Sequence, residues 1–290
     1  MGGTAELSVV IPTFRRPTRL LETLGEIGAC DPAPAEVLVH VEAGDAETEP
    51  ALRAGAREVR VLRSDRPQGP GGARNRLIGE ARHPVVVSLD DDSYPVDTDF
   101  FAAVLAAFEA QPEAGVLAMT IVHDGEPMVA RQPGAQEVAD FVGCGCAYRR
   151  AAFLETSGYL PLHPAYGMEE ADLALQLIDR GWQIVHCPDL RVRHATDRGH
   201  QTAPAIVAAH VRNTALLAFL RYPARLAPRG LAQYANRILY STRRGHVGGV
   251  LRGILQTPGT LLRHRAHRHA VRAETVRAIR ALRHATPAAE

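Results

Sequence analysis

Lysine is missing from this 290-residue chain, and all 33 of its basic residues are arginine. Together with abundant alanine, that is what GC-rich coding produces, and it says nothing about function. Tryptophan occurs once and aromatic residues make up 5% of the chain, so stacking platforms for nucleic acid are scarce. Long apolar runs are lacking too. Val85-Val86-Val87 and residues 215–220 fall far short of the ~20 residues that a membrane-spanning helix needs. No basic stretch precedes the first apolar segment, so no secretory leader is expected. The four cysteines (Cys30, Cys144, Cys146, Cys187) have no secretory context, and reduced thiols in a cytoplasmic protein are the expectation. Acidic residues nearly vanish at one end: residues 201–290 hold 15 arginines and two glutamates, whereas residues 1–200 hold 18 arginines and 30 acidic residues. A formal net charge of +1 therefore hides an acidic body (1–200) and a basic extension (201–290).

What is present supports a sizeable core, because 46% of the residues are hydrophobic. The first half alternates short apolar runs with amphipathic stretches, the pattern of βαβ units. Strands are expected at 7–11, 36–41, 59–62, 84–89, 115–122, 140–148 and 183–194. Helices are expected at 17–27, 73–82, 100–111 and 169–180, with Pro17 suited to a first helical turn. From Pro204 onward the pattern is helical, and Pro223, Pro228, Gly248-Gly249 and Pro258 are expected to divide it into three or four helices. The expected class is α/β, a mostly parallel mixed sheet flanked by helices, with a helical C-terminal extension.

The strongest chemical signal is Asp90-Asp91-Asp92 directly after an apolar strand, where open α/β sheets bind their ligands. Adjacent carboxylates raise one another's pKa, so the triplet favours a hard divalent cation, Mg2+ or Mn2+, and with it a diphosphate; a solvated acidic turn is the plainer reading. Gly69, Gly71 and Gly72 precede a helix start that carries Arg74, an arrangement that favours anions but is also ordinary turn chemistry. Glu169, Glu170 and Asp172 open a helix, either to complement its dipole or to supply a general base. His194 ends a strand, either as a hydrogen-bonding residue or as a metal ligand. Cys144 and Cys146 read as small core residues rather than a zinc pair.

These segments, in this order, resemble family 2 glycosyltransferases of GT-A fold. The resemblance is carried by Val9-Val10-Ile11-Pro12-Thr13-Phe14-Arg15-Arg16, Gly71-Gly72-Ala73-Arg74-Asn75, Leu89-Asp90-Asp91-Asp92, Tyr166-Gly167-Met168-Glu169-Glu170-Ala171-Asp172-Leu173 and the run from Gly181 to His194. It implies that Pro12, Thr13 and Arg15 lie by the base and ribose of a nucleotide, with Glu42 contacting the base. It implies that Arg74 approaches the diphosphate, that Asp90 and Asp91 contact ribose and nucleotide, and that Asp92 and His194 hold the metal. Glu170 matches the usual catalytic base. Two departures stand out. Glu42 replaces a usual Asp, which leaves uracil or thymine open as the base read; Glu170 also replaces an Asp, which leaves Glu169 and Asp172 open as the proton acceptor.

The implied activity is metal-dependent, inverting transfer of a sugar from a UDP- or dTDP-sugar to the hydroxyl of a glycan, lipid or small molecule. A sugar-nucleotide pyrophosphorylase and a non-catalytic nucleotide-binding scaffold are the alternatives. For the basic extension the readings are a solvated helical cap, docking on an anionic membrane at the inner face, and homo-oligomerisation. Nucleic acid is disfavoured by the sparse aromatics and the lack of an RNA-binding motif.

Overall fold

A computed structural model describes residues 3–55, 58–162, 167–195 and 203–285. The first strand, β1 (Thr4–Thr13), is followed by α1 (Pro17–Ile27), β2 (Ala33–Val41), α2 (Thr48–Ala54), β3 (Arg60–Arg63), α3 (Gly69–Glu80) and β4 (Val85–Leu89). Next come β5 (Ser93–Pro95), α4 (Phe100–Ala110), β6 (Ala114–His123), β7 (Gln136–Glu137), β8 (Gly145–Arg149), α5 (Arg150–Leu154), α6 (Glu169–Asp179) and β9 (Gln183–His194). Four helices follow: α7 (Pro204–Arg221), α8 (Ala227–Arg243), α9 (Val247–His264) and α10 (Ala273–Ala285).

The strands form one nine-stranded sheet in the order β3-β2-β1-β4-β8-β6-β9-β5, with β7 also on β9. Pairings β1–β2, β1–β4, β2–β3 and β6–β9 are parallel; those of β8 with β4 and β6 are antiparallel. Strand alternation explains the core. Leu7, Val9 and Ile11 point to one face, where Leu20, Leu24 and Ile27 of α1 and Phe100, Phe101 and Val104 of α4 cover them. Val10 points to the other face and meets Leu77 and Ile78 of α3 and Leu173 and Leu177 of α6. Because both faces are covered, the strands read as continuous apolar runs.

Several boundaries differ from the sequence expectation, each for a tertiary reason. Helix α3 begins at Gly69 rather than Ala73, because the Glu42 carboxylate at the end of β2 accepts the backbone N–H of Gln68 (3.0 Å) and Gly69 (2.7 Å) and so caps it from another strand. Pairing of β8 begins at Gly145 rather than Asp140. The carbonyls of Gly143 and Cys144 are taken by the hydroxyls of Ser88 and Ser93, at 2.7 and 2.8 Å. In the extension Gly248, Gly249 and Pro258 all lie inside α9, and the break before it falls at Gly245, whose φ is 82°. Pro258 is tolerated on the outward face. The short elements α2, α5, β5 and β7 were not expected; each is stabilised by its neighbours rather than by its own pattern.

The extension packs on the body through a buried ion pair. Arg221, 2% exposed at the end of α7, donates from Nε to Asp172 Oδ1 (2.5 Å) and from Nη2 to Oδ2 (2.9 Å). Leu160 and Leu162 pack beside it against Leu216 and Leu220 of α7. Among the described residues, no helix is long and apolar enough to cross a membrane.

Candidate active site

The carboxyl ends of β1, β2 and β4 open onto one cavity of about 530 Å3. It is lined by Pro12, Thr13, Phe14, Arg16, Glu42, Gly69, Pro70, Asp90 and Asp91, among others. Parallel strands that end together, with α3 starting beside them, bring residues far apart in sequence to one crevice.

The aspartate triplet is held by cations. Arg16 donates to Asp91 Oδ1 (2.7 Å) and to Asp92 Oδ2 (2.6 Å), while Thr13 Oγ1 donates to Asp91 Oδ2 (2.8 Å). Arg74, buried at the start of α3, donates from Nε to Ser88 (2.9 Å) and from Nη2 to Asp90. His194 Nε2 lies 3.2 Å from Asp92 Oδ1, and its Nδ1 lies 3.5 Å from Cys144 Sγ. Burial raises the Asp92 pKa, but the bonds from His194 and Arg16 outweigh it and hold the carboxyl below its ordinary range. Asp91 is different: burial, beside two other carboxylates and despite Thr13 and Arg16, pushes it up to about 6. Burial and Asp90 act in opposite directions on Arg74, and the ion pair wins, so its guanidinium stays charged.

The ligand atoms of Asp90, Cys144 and His194 lie within 4.8 Å of one another. Asp90 and His194, with the Asp92 carboxylate bonded to the same imidazole, supply oxygen and nitrogen donors that fit Mn2+ or Mg2+. Cys144 fits less well, because burial pushes its thiol well up and keeps it protonated.

On the far side of Arg74 stands the start of α6. Glu170 Oε1 accepts from the backbone N–H of Gly143 (3.3 Å), and a Cβ at Gly143 would sit 3.1 Å from that oxygen and 3.2 Å from Arg74 Cζ. Only a residue without a side chain lets the two approach so closely. Glu169 is buried under Gly71, and its Oε1 has no hydrogen-bond partner among the described residues. Burial and the neighbouring Glu170 push its pKa up to about 8. Burial likewise raises that of Glu170, partly countered by its backbone bonds and Arg74. Met168, just before the helix, holds a φ of 77°, a strained value for a non-glycine residue.

Not every residue singled out by sequence faces the cavity. The Arg15 guanidinium turns away, to the Gly44 carbonyl at 3.0 Å and over the Phe14 ring at 5.0 Å, and Arg16 takes the inward position. Asp172 is engaged by Arg221 and Gln176 and serves the interface with α7. Glu42 lines the cavity, yet its oxygens already accept from Ala43, Ser64, Gln68 and Gly69. Those bonds outweigh its burial and keep its pKa low. The residue that sequence reasoning missed is His40. It lies behind the cavity wall, fully buried, and neither ring nitrogen has a hydrogen-bond partner among the described residues. Burial lowers its pKa, so the ring is neutral. Its only signal in the sequence is a polar residue inside the apolar run 37–41.

The fold has solved relatives. A mannosyltransferase from Pyrobaculum calidifontis, in complex with GDP-Man and Mn2+, superposes with a TM-score of 0.60 at 17% identity over 96% of this chain and 84% of that one. TarS of S. aureus (residues 1–349), in complex with UDP-GlcNAc, gives 0.58 at 19% over 80% and 72%. GalNAc-T7 with UDP, GalNAc and Mn2+ gives 0.62 at 15% over 84% of this chain and 51% of that one. No curated protein sequence matches the chain. The α/β body with its helical extension is thus of the GT-A type. The family model described as "Glycosyl transferase family 2" matches residues 8–156, just over half of the chain and the span that carries β1 to β8 and the aspartate triplet, so the chain belongs to glycosyl transferase family 2.

Proposed function

We propose that this glycosyltransferase inverts the anomeric centre of a nucleoside-diphosphate sugar, of UDP or dTDP type, in one metal-dependent displacement, with Glu170 as the base. The observation that carries the reading is the placement of two carboxylate groups on opposite sides of Arg74, one ion-paired beside the cavity and one pushed toward neutrality. Relatives of the same fold have been solved with GDP-Man and Mn2+ or with UDP-GlcNAc, which supports a nucleotide-sugar donor. The nucleotide occupies the cavity lined by Pro12, Thr13 and Phe14, and Arg16 and Arg74 face its phosphates. A divalent cation, Mn2+ or Mg2+, at Asp90, Asp92 and His194 supplies Lewis-acid neutralisation of the leaving diphosphate.

Glu170 accepts the proton of the acceptor hydroxyl as its oxygen bonds to the anomeric carbon and the bond to the diphosphate breaks. It is favoured over Glu169 because it is less buried and reaches toward Arg74, whereas Glu169 lies under Gly71. A raised pKa makes a carboxylate a better proton acceptor.

The test is a thermal-shift panel of nucleoside diphosphates and nucleotide sugars with Mn2+ or Mg2+, since ligands that bind the folded state raise its melting temperature. Stabilisation by UDP or dTDP only when cation is present is expected. Equal response to every nucleotide, or none, overturns the donor assignment.

A further inference from the structure

Helix α9 presents three faces. Gly249, Val250, Gly253 and Thr257 are buried, and Val250 packs on Val207 and Val211 of α7. At helical spacing on a second side stand Arg252, Gln256, Gly259 and Arg263, which with Arg212 of α7 line an open cleft of about 610 Å3. On the third side Val247, Leu251, Leu255 and Leu262 face solvent, Leu255 being 81% exposed. Leu255 also lines the cleft, so the leucine stripe and the arginine row share an edge.

Among the described residues no carboxylate lines this cleft, and residues 203–273 contain none at all. Arg212 is buried, with its Nη1 donating to Gln256 (2.8 Å). Burial lowers its pKa and so do Arg252 and Arg263; burial, His267, Arg263 and Arg212 do the same to His264, which also lines the cleft. Among the residues that line the cleft, like charges therefore converge on a concave surface. A row of arginines beside exposed leucines on one helix is the pattern that places guanidinium groups at lipid phosphates and aliphatic side chains below them.

We infer that the α7–α9 cleft and the leucine face of α9 form a docking surface for an anionic lipid bilayer, with headgroup phosphates seated between Arg252 and Arg263. The inference does not depend on glycosyl transfer, and its test uses neither donor nor acceptor.

The test is sedimentation with phosphatidylglycerol vesicles and with pure phosphatidylcholine vesicles. Wild-type protein is expected to pellet with the first only. Arg252→Gln/Arg263→Gln removes two charges worth ~1 kcal/mol each near such a surface, a loss of roughly 30-fold in partitioning. Leu251→Ser/Leu255→Ser is expected to release the protein as well. Both arginines are exposed, and an unchanged melting temperature of the unliganded protein shows that the variants keep the fold. Arg277→Gln/Arg280→Gln on α10 removes the same charge elsewhere and should matter little. Equal loss in that control, or no binding by wild type, overturns the inference. So does stabilisation by inorganic phosphate that depends on Arg252 and Arg263 without vesicle binding, which would assign the cleft to a soluble phosphate.

Discussion

Two carboxylate trios of nearly the same composition stand on either side of Arg74 and come to opposite electrostatic ends. Asp90, Asp91 and Asp92 follow a strand and receive Arg16, Arg74, Thr13 and His194. Glu169, Glu170 and Asp172 open a helix, and only Asp172 receives a bidentate arginine. The helix dipole favours anions at that end by only ~0.3–1 kcal/mol for exposed groups, which is too little to offset burial of two adjacent glutamates. Environment rather than residue type separates a cluster suited to cations and phosphates from one suited to taking a proton.

The contrast is broken most sharply by removing its chemistry. Glu170→Gln is expected to lower turnover by ~10²–10⁴-fold, with nucleotide affinity unchanged by calorimetry. Retained turnover in that variant, with loss in Glu169→Gln, would transfer the role to the neighbouring carboxylate. Chelation of divalent cations should abolish most turnover and Mn2+ should restore it; activity that survives exhaustive dialysis against chelator would remove the aspartate cluster from metal binding.

The structural member of the second trio answers to stability. Arg221→Met leaves Asp172 buried and unpaired, and urea denaturation should show a loss of about 3–5 kcal/mol. A loss below about 1 kcal/mol would mean that the pair behaves as a surface contact. Smaller is the effect at His40. His40→Leu removes two buried nitrogens that lack a partner among the described residues, so the melting temperature should hold or rise. A drop would make His40 a packing residue.

A pH dependence tests the buried glutamate by itself. Burial raises Glu169 from an ordinary 4.5 to about 8, so the folded state binds its proton more tightly than the unfolded chain does. The stability this contributes is complete below pH 4.5 and is lost as pH rises toward 8. Wild-type melting temperature should therefore decline across that window, and Glu169→Gln should lack that part of the decline. Parallel curves would place the carboxylate in water.

Much of this was legible in the chain itself. Apolar runs placed β1, β4, β6 and β9, because strands buried on both faces must be apolar throughout. The acid-poor stretch after residue 200 coincides with the run of helices α7 to α10. Local spacing singled out Asp90–Asp92 and Glu169–Glu170 as clustered carboxylates on element ends, and the structure brings both clusters to the surroundings of Arg74. What spacing could not choose was direction. Arg15 and Arg16 are adjacent and equivalent in sequence, and only the backbone after β1 decides which one meets Asp91. Asp172 and Glu170 are both plain carboxylates in sequence until Arg221, 49 residues after Asp172, closes on the former. His40 looks like an interruption of a strand until the cavity beneath it is seen. Sequence determined which elements form and which groups carry charge, because both follow from local composition; the pairing and burial of those groups depend on residues far apart in the chain, and only tertiary packing fixes which carboxylate is paired with an arginine and which is pushed toward neutrality.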